Sequence, residues 1–402
     1  MTNSSTPLRT GYVQLGSVAR YAMIAGVVGL VLLAIGLAID PRRVLAAYVF
    51  GYATVFTIVI GALVQVMLSH VTGARWFTVL RRLTLDVTGA IPMLALLAIP
   101  FLGGVRILYP WADPTALPPD ARALIIRKAA WLNVPFFVAR SVVYLVAWIA
   151  VAWSLRRAAR AQDHALGETA VRATRRLRRL SSVGLVVVAL TLTFAAFDWL
   201  MSLEPTWYST IYGVYVFAGG YLAALALVAV VGYLGSQGVA AEGGAVTGEH
   251  FGALGQLLLT FVIFWAYIAF AQYLIIWIGD VPHDVSWYVV RGRGSWGVLA
   301  LIVGIGQFAI PFVLLLSRDL KRRPGFLATL GGWLLAMHLL EVYWLVLPAI
   351  DPVGVRASWV DAAALLMIGG FALAAACWRA RRDPALPLGD PYLARALRYV
   401  EP

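Results

Sequence analysis

Ten long apolar blocks, separated by shorter polar segments, dominate the sequence. Each block is about twenty residues long or longer, the length that a helix needs to cross the hydrocarbon core of a bilayer. The pattern predicts an all-α integral membrane protein, a single polytopic membrane domain over residues 1–402. The predicted spans lie roughly at 20–39, 45–68, 85–105, 131–155, 181–201, 208–234, 251–279, 295–317, 325–348 and 358–378.

Two of these blocks need comment. The first is longer than the apolar region of a signal peptide and has no clear cleavage site, so we interpret it as a span. The third contains Pro92 and Pro100, and because membrane helices tolerate proline as a bend, we keep it as a span and expect a kink. Small residues predict close helix packing within the spans, notably Gly26, Gly29, Gly304 and Gly306.

Composition and charge agree with a membrane protein. The chain is 61% hydrophobic and 13% charged, whereas a soluble domain is roughly half apolar and a quarter charged. We attribute the net charge of +13 to basic residues that gather in cytoplasmic loops. Nucleic-acid binding is a poorer explanation, because the basic residues are not interleaved with exposed stacking aromatics. Of the 32 lysines and arginines, 22 fall on the side of the two termini, eight of them within 156–180. This bias predicts cytoplasmic termini.

Ionisable residues inside the spans are the best functional candidates, since lipid does not tolerate them. Arg140, in the fourth span, should meet a carboxylate or line a wet cavity, and a structural ion pair is at least as good an explanation as a functional one. His338 and Glu341, in the ninth span, lie three residues apart and so share one helix face. Together they could pass a proton, or they could form a polar contact between helices.

Further polar candidates lie towards the ends of the spans. A group at the mouths of the fifth to eighth spans could form a proton exit or a docking surface, although Asp284 alone fits an interfacial loop residue better. Two more residues flank the loop between the second and third spans on the side of the termini. The candidates are Asp198, Glu204, Asp280, His283 and Asp284 in the first group, His70 and Asp86 in the second, and Tyr343 beside the deep pair.

Redox centres of the chain's own are not expected. The single cysteine, Cys377, cannot build a thiolate cluster, and the motif for covalent haem is missing. Of the five histidines only His338 lies deep, so a bis-histidine haem has no second ligand. No phosphate-loop or dinucleotide fingerprint occurs in a strand–helix setting, and no metal site is predicted.

Four stretches are more specific than generic membrane sequence. They read FDWLMSLEPTWYSTIYGVY at 197–215, WLNVPFF at 131–137, FWAYIAFAQY at 264–273 and YWLVLP at 343–348. Through them, and over about residues 48–348, the chain resembles the NrfD-like (polysulfide reductase-type) membrane subunits. It is most similar to the second quinone-binding-type subunit of alternative complex III, the quinol:cytochrome c oxidoreductase.

The resemblance implies two four-helix bundles, spans two to five and six to nine, flanked by spans one and ten. It implies a bacterial inner-membrane respiratory complex whose haem and iron–sulfur centres lie on partners, namely a multihaem cytochrome, an iron–sulfur subunit and a sister NrfD-like subunit. Membrane subunits of this type are expected to contact quinol or quinone, or to conduct protons. Three positions depart from the family pattern, because Thr206 and Gln307 stand where histidine is usual and Glu341 where aspartate is usual.

Two other functions fit the same buried polar residues. A stand-alone secondary transporter could use them to coordinate an ion or solute near the bilayer midplane. A structural membrane scaffold would use them only for contacts between helices.

Overall fold

The computed structural model describes residues 15–239 and 245–400. Within these residues all regular structure is helical, and ten helices are long and apolar enough to span a membrane. All ten predicted spans are therefore confirmed. In chain order the first to tenth spans are Leu15–Ile39, Pro41–Thr72, Thr78–Gly103, Val134–Asp163, Glu168–Leu203, Tyr212–Ser236, Gly248–Gly279, Gly294–Leu316, Pro324–Ala349 and Trp359–Ala380.

Shorter helices connect or extend these spans. The fifth span begins at Glu168, well before the predicted residue 181, because the helix continues through the arginine-rich segment outside the apolar block. The short α-helices are Val105–Leu108, Pro119–Arg127, Pro282–Arg291, Arg318–Lys321 and Leu393–Ala396, and single 3₁₀ turns occur at Pro110–Ala112, Pro114–Ala116, Met201–Leu203 and Leu347–Ala349.

The spans form two bundles that share a face. In the first bundle the second span packs on the third and fifth, and the fourth packs on the third and fifth. In the second bundle the sixth span packs on the seventh and ninth, and the eighth span also contacts the seventh and the ninth. The second span also packs on the sixth and ninth, so it lies between the bundles and is the most buried of the ten.

The first and tenth spans pair outside the bundles, where the tenth packs on the second and third. A Cβ atom at Gly29 would lie 2.4 Å from the backbone nitrogen of Met367, so only glycine allows this approach. Gly26 and Gly306 are also at close contacts, but Gly304 faces open space. The predicted packing role is thus confirmed for three of the four glycines and wrong for Gly304.

Two spans depart from regular α-helix. The third divides into Thr78–Val87, a 3₁₀ turn at Thr88–Ala90, Ile91–Leu97 and Ile99–Gly103. The breaks lie beside Pro92 and Pro100, which cannot donate the usual backbone hydrogen bond, so the predicted irregularity is confirmed. The eighth span contains a π-helical turn at Gly304–Ala309 between Gly294–Val303 and Ile310–Leu316.

Successive spans alternate in direction, so their connections gather at two ends of the molecule. We call the end with the loops at 73–77, 164–167 and 317–323 the tail end, because the C-terminal segment 381–400 folds against it. The opposite end, with the connections at 104–133, 204–211, 280–293 and 350–358, is the distal end.

Candidate functional site

A histidine and a carboxylate form a buried pair at mid-height in the second bundle. His338 Nδ1 and Glu341 Oε2 are 3.0 Å apart on the ninth span. Their side chains are only 3% and 1% exposed. The two side chains share one helix face, as predicted, and they are in direct contact. Burying such polar groups in a bundle of apolar helices costs free energy.

Two further donors hold the Glu341 carboxylate. Trp265 of the seventh span donates its Nε1–H to Oε1 over 2.5 Å, and Gln307 of the eighth donates Nε2–H to Oε2 over 2.9 Å. Gln307 lies in the π-helical turn, and such turns are often found at functional sites because they redirect a side chain. The Oε1 atom of Gln307 is buried and has no partner among the described residues.

The other ring nitrogen of His338 faces Thr57 on the second span. Thr57 Oγ1 lies 2.9 Å from His338 Nε2 and 2.7 Å from the carbonyl oxygen of Ala53. The hydroxyl has one proton, so it can donate to only one of these two atoms. The choice determines how many protons the pair holds.

If Thr57 donates to Ala53, His338 must donate Nε2–H to Thr57. A second proton then lies between Nδ1 and Glu341, and the pair is neutral overall. If Thr57 donates to Nε2, only Nδ1 has a proton, and it faces an ionised Glu341. Rotation of one hydroxyl thus distinguishes two states of the pair that differ by one proton.

The sixth span closes the site without a side chain. A Cβ atom at Gly219 would lie 2.5 Å from Glu341 Oε2, so the carboxylate occupies the space that glycine leaves. Five spans, the second, sixth, seventh, eighth and ninth, therefore meet at this one carboxylate–histidine pair.

Polar groups continue from the pair towards the distal end. The Tyr215 hydroxyl faces Glu341, and its ring lies beside Trp265. Nearer the distal end Gln272 donates to the Tyr288 hydroxyl over 2.9 Å and accepts from Ser209 over 3.1 Å. Burial raises the pKa of Tyr288 to about 12, so this hydroxyl keeps its proton at neutral pH and can both donate and accept.

A second buried carboxylate, Asp198, lies in the first bundle. Arg140 binds it through two nitrogens at 2.8 Å each, Trp131 Nε1 donates over 3.0 Å and the Tyr144 hydroxyl over 2.8 Å. The guanidinium also lies over the rings of Trp131 and Phe136. Arg140 thus meets the carboxylate that the sequence analysis expected, and Asp198 is its counter-ion.

The remaining distal candidates lie in separate places. Glu204 forms a two-point ion pair with Arg291, with N–O distances of 2.8 and 3.1 Å. Asp280 is exposed in a left-handed conformation, with φ at 45°, where the seventh span ends. His283 Nε2 lies 3.0 Å from Asp284 Oδ1 at an exposed edge. The predicted group is therefore not one cluster, because two of its carboxylates are each bound to a different arginine.

Tyr343 also lies away from the deep pair. Its hydroxyl donates to the carbonyl of Arg356 over 3.2 Å, and its ring packs edge-on against Phe50. The predicted role beside His338 has no support in this geometry, since the side chain faces the distal connection.

At the tail end Asp86 is a salt-bridge residue, 3.1 Å from Arg156, which also binds Asp383 of the C-terminal segment. His70 lines a cavity at the same end, and neither of its ring nitrogens has a partner among the described residues.

The distal end has an apolar cavity of about 440 Å³. Two of the stretches quoted above, around 131 and 197–208, line it, with Trp131, Phe197, Trp207 and Tyr208 as its aromatic residues. Arg127 and Lys128 are the cations that line it, and Lys128 donates to the carbonyl of Pro205 over 2.7 Å. Burial lowers the pKa of Lys128, opposed by the Asp284 carboxylate.

Sequence reasoning missed several members of the deep site. Thr57 and Gly219 are ordinary residues in apolar blocks, and nothing local marks them. Trp265 and Gln307 had a signal, since one lies in a quoted stretch and the other at a departure from the family pattern. Their contact with Glu341 depends on the packing of three spans, which no local pattern gives.

No protein-family model matches the chain, and no curated protein matches it.

Proposed function

We propose that the chain is an integral membrane subunit of a quinol:electron-acceptor oxidoreductase complex of the alternative complex III type, an NrfD-like subunit that provides a proton pathway. The observation that supports the proposal most is the buried His338–Glu341 pair, held by hydrogen bonds to side chains of three other spans. A histidine titrates near neutral pH, and a carboxylate at hydrogen-bond distance can take or return its proton.

In this proposal the proton enters from the tail end. The Tyr221 hydroxyl of the sixth span donates to Gln65 of the second span. Gln65 lies about two helical turns closer to the tail end than Thr57 does. The proton reaches His338 as the Thr57 hydroxyl rotates, and passes to Glu341. It leaves by Tyr215 and the Gln272–Tyr288 contact towards Glu204. Asp198 takes no part, because Arg140 holds it as a fixed ion.

A quinone contact is the second element of the proposal, and the distal cavity is what favours it. Flat aromatic walls suit a quinone ring, and a few polar groups at the rim would orient it. Trp131, Trp207 and Tyr208 would hold the ring, with Lys128 near its oxygens. When bound, the quinol would supply electrons for haem and iron–sulfur centres on partner subunits.

The proposed setting is the bacterial inner membrane with both termini in the cytoplasm, supported by the basic segment 156–180. A cysteine at Ala165, in a Cys377→Ala background, should be shielded from an impermeant thiol reagent added to intact cells. It should be labelled once the cells are opened. Ready labelling from outside would reverse the orientation and with it the direction of the pathway.

The pathway itself is tested by Glu341→Gln, which keeps the size of the side chain and removes its titration. We expect the complex to assemble, and quinol-driven proton release in proteoliposomes to fall about tenfold or more. Asp120→Asn, at an exposed distal carboxylate, is the matched control and should leave proton release unchanged. Normal turnover and proton release in Glu341→Gln would make Glu341 a packing residue.

Purification of the chain from native membranes distinguishes this proposal from two other functions, a secondary transporter and a structural scaffold. If the chain purifies from native membranes without cytochrome or iron–sulfur partners, a secondary transporter is the better assignment. If it purifies with them but a His338→Gln/Glu341→Gln variant keeps electron transfer and proton release, the chain is a structural scaffold.

A further inference from the structure

The tail-end cavity differs in character from the deep site and from the apolar distal cavity. It has a volume of about 180 Å³, against roughly 30 Å³ for one water in the liquid. Its walls come from the ends of the second and fourth spans, the starts of the third and fifth, and the C-terminal segment. It is therefore large enough for a small charged group with some of its waters.

Guanidinium groups surround this cavity. Arg75, Arg81, Arg175 and Arg178 line it, and none of the described lining residues has a carboxylate. Arg81 is already neutralised, since its guanidinium binds Asp390 over 2.7 Å. The other three have no carboxylate partner among the described residues, so the cavity presents a net positive charge.

The floor of the cavity has unused hydrogen-bonding groups. His70 is 9% exposed, and both of its ring nitrogens lack a partner within the described chain. A buried imidazole normally satisfies at least one nitrogen, so this ring is prepared for a group that the protein does not supply. Ser69 and Thr78 lie beside it, each held by a donor from Arg81, over 3.2 and 3.1 Å.

The chain is shaped to build this site. Gly73 ends the second span in the left-handed conformation, with φ at 66°, which lets the backbone turn so that Arg75 follows at the rim. Arg178 approaches from the fifth span and donates Nε–H to the carbonyl of His70 over 3.2 Å. Its two terminal nitrogens remain for a ligand.

We propose that this cavity binds a phosphate group. Several guanidinium groups around one point, with neutral donors at the base, suit a tetrahedral oxyanion, because arginine forms strong charge-assisted bonds to phosphate oxygens. Arg175 and Arg178 would bind it at the rim, and the His70 N–H would donate from below. The group belongs either to the headgroup of an anionic phospholipid or to a soluble phosphate, since the cavity opens where a span ends.

The test compares two double variants on one helix. Arg175→Gln/Arg178→Gln removes two lining guanidinium groups, whereas Arg176→Gln/Arg179→Gln removes two exposed arginines outside the cavity. The net charge changes equally in both. His70→Phe is a third variant, which removes the floor donor and leaves every arginine in place.

The full chain is purified in neutral detergent, and two probes are used. The first is phosphatidylglycerol retained through purification and counted by native mass spectrometry. The second is radiolabelled inorganic phosphate in equilibrium dialysis. We expect binding of at least one probe to weaken about tenfold or more in Arg175→Gln/Arg178→Gln and clearly in His70→Phe. The control double variant should bind like the unchanged protein.

The two probes identify the source of the phosphate. Retention of phosphatidylglycerol but not of phosphatidylcholine indicates a lipid headgroup, and binding of inorganic phosphate without retained lipid indicates a soluble ligand. Equal loss in both double variants would reduce the effect to general surface charge and overturn the proposal. So would the failure of both probes to bind the unchanged protein.

Discussion

Two buried carboxylates, one in each bundle, differ in the partner that neutralises them. Asp198 in the first bundle and Glu341 in the second both have side chains that are almost wholly inaccessible. Asp198 faces Arg140, and a guanidinium group is in general a cation at physiological pH. Glu341 faces His338, and imidazole is the side-chain group whose ordinary pKa lies near neutral pH. The buried carboxylate of the first bundle is therefore paired with an arginine, and that of the second bundle with a histidine.

The supporting contacts reinforce this difference. Asp198 accepts from three side chains in addition to the ring contacts of its arginine, so both oxygens have fixed donors. Around Glu341 the neutral donors Trp265 and Gln307 hold the carboxylate in position, while His338 links it to the rotatable hydroxyl of Thr57. Burial alone thus does not identify a proton carrier, and the chemistry of the partner decides.

The largest expected effect is on stability, and it should fall on the first bundle. Asp198→Asn leaves the Arg140 guanidinium buried without a counter-ion, at a cost of about 3–5 kcal/mol. Glu341→Gln should cost much less, because His338 can become neutral and the Gln307 amide can turn to offer its oxygen. Thermal unfolding of the two variants in the same detergent measures the difference, with a clearly lower Tm for Asp198→Asn.

A double variant sharpens this comparison. Arg140→Gln/Asp198→Asn removes both charges and should recover part of the Tm that Asp198→Asn loses. If Glu341→Gln lowers the Tm as far as Asp198→Asn does, both carboxylates are structural and the contrast between the bundles is lost.

A smaller effect is expected from the space that holds Glu341. Gly219→Ala would push a methyl group to 2.5 Å from Glu341 Oε2, so the carboxylate must move away from His338 or from its neutral donors. Proton release should fall several-fold while the complex still assembles. Gly332→Ala is the matched control, because Gly332 has open space around its Cα and lies on the same span as Glu341. Equal proton release in the two variants would show that the position of the Glu341 carboxylate does not affect proton release.

The sequence supports predictions where the controlling signal is local. Span length, the breaks beside Pro92 and Pro100, and the shared face of His338 and Glu341 all follow from apolar blocks, proline chemistry and helical spacing. The need of Arg140 for a carboxylate follows from the cost of burying a charge. The identity of that carboxylate does not, because Asp198 lies 58 residues away on another span.

The same limit explains what was missed at the deep site. Gln307 reaches Glu341 from a π-helical turn, and no pattern in GIGQFA predicts an inserted residue there. Thr57 resembles its neighbour Thr54 in every local respect, since both hydroxyls bind carbonyls of their own helix. Only the packing of the second span on the ninth brings the ring of His338 to the Thr57 hydroxyl.

Because Thr57 and Thr54 are so similar, they allow a matched pair of variants, for which we expect the smallest effect. Thr57→Val is nearly isosteric and removes only the hydroxyl that faces His338 Nε2. This ring nitrogen then loses its hydrogen bond to the second span, while Nδ1 keeps its contact with Glu341. We expect proton release to slow by about three- to tenfold, within the range of one proton-transfer group, and its pH profile to shift. Thr54→Val removes a hydroxyl that is also buried and that, among the described residues, bonds only to the carbonyl of Phe50. It should change the rate less than twofold. Thr57→Ser restores the hydroxyl and should recover most of the rate. If Thr57→Val and Thr54→Val behave alike, the proton reaches His338 by another route, and the difference between the two bundles rests on the His338–Glu341 pair alone.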